Sequence, residues 1–282
     1  MKNAIIVSGL ILIAVSRSPS WGISLDDAWV QAQKMSSSAR ITSAAYKLGE
    51  APSADMPTVP VEWVSIGGGK FTVGPSRRVP RKTRVSIKTF EMSKTLVTVE
   101  QYAECVSKGA CTEPRMSKNC NWGETGRQRY PMNCVDWDHA NLYAKFKGAR
   151  LPSESEYEYA ATNGGQNQKY PWGNDEPTAD KAVYGVDRTQ PVCSKPAGNT
   201  AQGLCDMAGN VEEWMQDKFH AGAPADGSAF EGATDSFQVN RAFRATRGGS
   251  YYLTEPIYLQ ADFGCMEAPG VSQDSIGFRL AR

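Results

Sequence analysis

The sequence predicts an α+β fold low in regular secondary structure, with few helices and short antiparallel strands. Three observations carry this. Helix start and stop signals bracket only short stretches within the long C-terminal part, at 98–108, 136–147 and 153–162. A long Cys-rich loop, 110–131, separates the first two. After Asn163 the chain is rich in Gly, Pro, Asn and Asp, with only brief strand-like runs between them.

Residues 1–21 read as a secretory signal peptide. Lys2 gives a positive start, Ala4 to Val15 is apolar, and Ser16, Ser18 and Ser20 are small. The apolar run is shorter than the roughly 20 residues that span a bilayer, and no Cys follows it, which argues against a lipoprotein. The expected location is the periplasm or the exterior. Residues 22–60 read as a helix and linker. Leu25, Ala28, Trp29, Ala32, Met35 and Ala39 share a face from Ser24 to Gly49, and Pro52, Pro57 and Pro60 follow.

Residues 61–282 read as the main domain. Val61 to Val73 holds two strand-like runs around Gly67-Gly68-Gly69. With no Lys-Ser/Thr or helix after them, these glycines read as a turn and not a phosphate loop. Val85 to Met92 is a further strand. Thr98 with Gln101 makes a capping box for the first helix, whose core face is Val99, Tyr102, Ala103 and Val106. Asp136 caps the second, with Trp137, Ala140, Leu142, Tyr143 and Phe146 inward. Ser153 with Glu156 caps the third.

Composition narrows the function. With 31 Lys+Arg against 30 Asp+Glu, the chain lacks the basic excess that nucleic acid requires. The cluster Arg77, Arg78, Arg81, Lys82, Arg84 and Lys88 reads as a solvated face. All 7 cysteines lie beyond the signal, and an oxidising compartment favours disulfides. Nearest-neighbour pairing joins Cys105 to Cys111, Cys120 to Cys134 and Cys193 to Cys205, although sequence leaves the connectivity open. Cys265 is then odd.

The stretch Gly203-Leu204-Cys205-Asp206-Met207-Ala208-Gly209-Asn210-Val211-Glu212-Glu213-Trp214-Met215-Gln216-Asp217 is neither a clean helix nor a clean strand. Its oxygen side chains and glycines suit either a hard cation such as Ca²⁺ or a polar turn. It also resembles the Gly-Leu-x-Asp-Met-x-Gly-Asn-Val-x-Glu-Trp signature of the formylglycine-generating enzyme (sulfatase-modifying factor) superfamily. Arg150 to Ala161, Tyr170 to Asn174, Arg247 to Tyr251 and Gly277 to Leu280 resemble four further blocks of that family, in its order. The resemblance spans about Val61 to Arg282 and implies the family's variant of the C-type-lectin fold.

It also implies where chemistry would sit. The family's oxidase holds copper through two thiolates placed three and eight residues after the Ser of the Arg-Gly-Gly-Ser block. Those positions here are Leu253 and Tyr258, and neither suits Cu(I). A non-heme iron branch needs two His and a carboxylate, but the only histidines are His139 and His220, in unlike surroundings. A third branch resembles periplasmic oxidases that mature siderophores and lack the cysteine pair. Glu255, Asp262 and Glu267 could line its cleft, or be surface charges. Gln260 to Gly264 also departs from the arginines that relatives often carry.

Calcium is the cofactor the resemblance implies, with no copper or iron. Asp206 and Glu213 would give side-chain oxygens, and Gly209 and Val211 backbone carbonyls. Glu212 replaces a usual Trp. A second family site near Ala182-Val183 lacks its Asn. The expected role is a non-catalytic periplasmic regulator that binds another periplasmic or membrane-protein domain, of the type associated with type VI secretion kinase signalling. No small-molecule substrate is identifiable. The alternative is an oxidoreductase of the siderophore-maturation type.

Overall fold

The structure, a computed structural model, describes residues 58–74, 82–219, 222–231 and 243–282. The signal peptide, the expected helix 24–49, most of the linker and His220 lie outside the described residues.

The domain opens with two strand pairs. β1 (Trp63–Ile66) runs antiparallel to β4 (Phe90–Ser93), and β2 (Gly69–Val73) to β3 (Thr83–Ile87). Phe71, Val73, Val85 and Ile87 are buried while their neighbours Lys70, Thr72, Arg84 and Ser86 are exposed or half-exposed. This alternation places one face of the ribbon on the core. Gly67 and Gly68 join β1 to β2, and only glycine fits at 68, where a Cβ would lie 2.6 Å from the Ile87 carbonyl oxygen. The single strand expected over Val85 to Met92 is instead two. It breaks at Lys88-Thr89, because its halves serve different partners, β2 and β1.

Three α-helices follow: α1 (Val99–Ser107), α2 (Trp137–Phe146) and α3 (Glu154–Ala161). Their starts are where the capping residues put them. Thr98 and Gln101 exchange side-chain and backbone hydrogen bonds at 3.3 and 3.0 Å, as do Ser153 and Glu156 at 3.1 and 2.9 Å. Asp136 accepts from the His139 amide at 2.9 Å. The α2 core face needs one correction. Leu142 is 43% exposed and Ala144 is buried, since the stripe through Trp137, Ala140 and Tyr143 continues through Ala144 at helical spacing and leaves Leu142 to one side.

The second sheet is four-stranded, ordered β7-β6-β5-β8: β5 (Glu212–Lys218), β6 (Arg244–Arg247), β7 (Gly264–Glu267) and β8 (Ile276–Gly277). Its β5–β6 and β6–β7 pairs are antiparallel, as expected, and its short β5–β8 pair is parallel. The reason is that the C-terminal segment returns beside β5 through Glu212↔Ile276 and Glu213↔Gly277. The signature stretch therefore divides. Asp206 and Asn210 turn at positive φ (53° and 66°), and Glu212 onward is strand. Four consecutive buried residues, Glu212 to Met215, show that β5 is covered on both faces. Met215 joins one hydrophobic cluster with Phe71, Met92 and Tyr157. Trp214 joins another with Tyr102, Tyr143 and Phe278. β5 is the wall between the two cores.

Disulfides join Cys105–Cys111, Cys120–Cys134 and Cys193–Cys205. The Cys-rich loop, which has no regular structure of its own, is held by the second of these.

Candidate functional site

Burial on both faces of β5 sets the problem that the site must solve, because a carboxylate there has no water. Glu213 is fully buried and meets Arg279, also fully buried, at 2.6 and 3.0 Å. The Tyr157 hydroxyl donates to Glu213 as well, at 3.2 Å. Arg279 spends its remaining donors on the carbonyls of Ser93, Cys205 and Asp206. Thus the terminal Gly-Phe-Arg block and the signature stretch form one buried ion pair. Burial still pushes the Glu213 carboxyl up, against the pull of Arg279.

Of the four residues expected to hold calcium, Glu213 and Asp206 have side-chain oxygens already bonded within the chain. Glu213 has both oxygens on chain donors, and its counter-charge is Arg279. Asp206 directs Oδ2 to the Cys193 amide at 2.7 Å. Gly209 packs against Val183, where a Cβ would fall 2.5 Å from the Val183 oxygen. Val211 is buried with Leu96 and Val192. Ca²⁺ takes six to eight oxygens around one point, backbone carbonyls among them.

A second buried pair lies behind the first. Arg247 bonds Glu154 at 3.0 Å and Glu158 at 3.1 Å. Nearby Asp217 accepts from the amides of Glu154 (2.8 Å) and Phe230 (2.9 Å). Sequence reasoning gave Asp217 only as an oxygen donor of the loop. Burial first, and then Glu154, push its carboxyl from 3.8 up to about 7. The folded state therefore holds an extra proton between these values. Stability from this group is present below pH 3.8 and is lost as pH rises through about 7. Asp217→Asn should flatten that part of the stability-against-pH curve, read by urea unfolding from pH 4 to 8. An unchanged slope would rule the assignment out.

The positions where the resemblance puts the family's thiolates, 253 and 258, are ordinary structure. Leu253 is half-buried and accepts from the Gly185 amide at 2.8 Å. The Tyr258 ring packs edge-on against Phe263, 5.1 Å between centroids. Cys265, half-buried, is on β7 opposite Thr246. Of the carboxylates considered for an oxidase cleft, Glu255 precedes the 3-10 turn Pro256–Leu259, Glu267 pairs across from Arg244, and Asp262 alone lines a groove. Tyr251 and Trp214 are core, whereas Tyr252 is 42% exposed. His139 bonds Asp136 at 2.6 Å and Thr112 at 3.1 Å. The bond to Asp136 raises the His139 pKa.

The groove holding Asp262 is about 900 Å³ and lies between β2 and the loop after α3. Glu158 forms part of its wall, and its carboxyl is pushed up first by burial.

Residues 49–282 match the model of the sulfatase-modifying factor enzyme 1-like domain. The chain belongs to this formylglycine-generating-enzyme family. Its fold matches that of PvdO from Pseudomonas aeruginosa with a TM-score of 0.65 and 28% identity, over 84% of this chain and 99% of that one. It is 36% identical over 163 residues to the serine/threonine-protein kinase Pkn1 of Chlamydia trachomatis, covering 56% of this chain and 25% of the kinase. It is 32% identical over 169 residues to the inactive C-alpha-formylglycine-generating enzyme 2 of Bos taurus, covering 54% of this chain and 50% of that protein. The chain thus spans between a quarter and a half of these two curated relatives.

Proposed function

We propose that this is a non-catalytic member of the family, exported to the periplasm, that regulates by binding another periplasmic or membrane-protein domain. The observation that carries the reading is the thiol inventory. The family's copper needs two thiolates, whereas Leu253 and Tyr258 hold those positions. Among the described residues Cys265 is the one cysteine outside a disulfide. One thiol cannot make a two-thiolate site for Cu(I). Likeness to a relative named as inactive and to a kinase supports a binding role, and type VI secretion kinase signalling is the setting proposed.

The test is direct. The mature protein, supplied with Cu(I) and oxygen, is incubated with a Cys-x-Pro-x-Arg peptide and the peptide is weighed by mass spectrometry. The expected result is unmodified cysteine; conversion to formylglycine would overturn the reading. The second reading is a periplasmic oxidoreductase of the siderophore-maturation type. It is favoured by the likeness to PvdO and by the polar groove with Glu158 and Asp262 in its wall. Oxygen uptake with a cyclic precursor separates the two.

A further inference from the structure

A two-stranded ribbon has two outer edges. In β2–β3 the outer edge of β3 is partly covered, since the Ser86 amide donates to the Ala225 carbonyl at 2.8 Å. The outer edge of β2 is different. All five of its residues, Gly69 to Val73, pair with β3 on the inner side. On the outer side they make no backbone hydrogen bond to any described residue. Alternate residues of such an edge point N–H and C=O outward, which is a template for another strand.

The open edge faces the groove. Lys70, Phe71 and Thr72 all line it, although they point to opposite faces of the ribbon, so the groove runs along the edge and not over a face. The facing wall carries carboxamides with capacity to spare. Gln168 spends its NH₂ on the Tyr170 carbonyl at 2.8 Å and keeps an acceptor. Asn174 spends its oxygen on the Lys169 amide at 2.9 Å and keeps its donors. A spare acceptor and spare donors match the outer N–H and C=O of an added strand.

Charge narrows the occupant. The exposed Asp262 makes no side-chain bond to any described residue, whereas the wall carboxyl of Glu158 is already paired with Arg247. Exposed Lys70, Lys82 and Lys169 stand elsewhere along the lining, Lys169 at 4.0 Å from Glu176. We propose that an extended segment of a partner protein adds as a strand to the outer edge of β2. One basic side chain of the segment reaches Asp262, and acidic side chains flank it towards Lys70 and Lys169. This rests on the binding reading above and names the chemistry of the partner.

The probe is a short-peptide display library panned against the full chain. The expected result is enrichment of peptides with alternating β-branched residues around a central Lys or Arg. The synthesised winner should slow amide exchange at 69–74 about tenfold or more. Methylating its alternate amide nitrogens should weaken binding about tenfold or more. Asp262→Lys should do the same with the melting temperature unchanged. Tolerance of N-methylation, protection elsewhere than 69–74, or no enrichment would each overturn the inference. The failures are distinguishable: a partner bound away from 69–74 removes this edge and keeps the binding reading, whereas oxidase turnover removes that reading.

Discussion

Arg279→Leu is expected to lower the melting temperature by about 10 °C, the largest loss of any single substitution considered. Arg279 and Glu213 are both at zero exposure, and their contact is two hydrogen bonds, 2.6 and 3.0 Å long. Removing the guanidinium leaves Glu213 buried with only Tyr157 to bond it. It also orphans the carbonyls of Cys205 and Asp206. An uncompensated buried charge costs about 3–5 kcal/mol. At about 2–4 °C per kcal/mol for a domain of this size, that gives the expected shift. The companion variant carries Glu213→Leu as well. Replacing both partners of a buried pair by apolar groups is often near neutral, so most of the loss should return. Calorimetry of the two variants decides: equal losses would show that Arg279 acts through the carbonyls and not through Glu213. EDTA should leave the wild-type melting temperature in place. A drop on chelation would restore a cation to this loop and remove Arg279 as the sufficient counter-charge.

Reduction of the disulfides is the second large effect. Cys120–Cys134 closes a separation of 14 residues and Cys193–Cys205 one of 12. Loop closure of this size restrains the unfolded chain by about 3 kcal/mol each. The two should nevertheless differ. Cys193–Cys205 is tied to the ion pair: the Cys193 amide bonds Asp206, and the Cys205 carbonyl bonds Arg279. The double variant Cys193→Ala/Cys205→Ala should therefore couple with Arg279→Leu, the combined loss departing from the sum by about 0.5 kcal/mol or more. Cys120→Ala/Cys134→Ala should add to Arg279→Leu with no such departure. Urea unfolding of the two sets measures this, and additivity in both would sink the link between the disulfide and the cluster.

Local signals were legible because local physics enforces them. A Ser, Thr or Asp that caps a helix does so with its own side chain three residues ahead, so Thr98, Asp136 and Ser153 mark helix starts whatever the rest of the chain does. Nearest-neighbour cysteines meet because short loops close most readily. Gly68 and Gly69 differ: what crowds them is Ile87 to Thr89 and Tyr159, far along the chain.

The order of residues alone carried the family's blocks and the helix starts. Tertiary structure decided what no local pattern encodes. Glu212 to Met215 reads as irregular until β6 and β8 pair with it from both sides. Leu142 is apolar yet lies outside the packed stripe of α2. Glu213 became the partner of Arg279, a residue 66 positions away, only when the C-terminal segment came back beside β5. A buried charge is answered by whichever opposite charge the fold brings within reach, and sequence spacing carries no record of that distance.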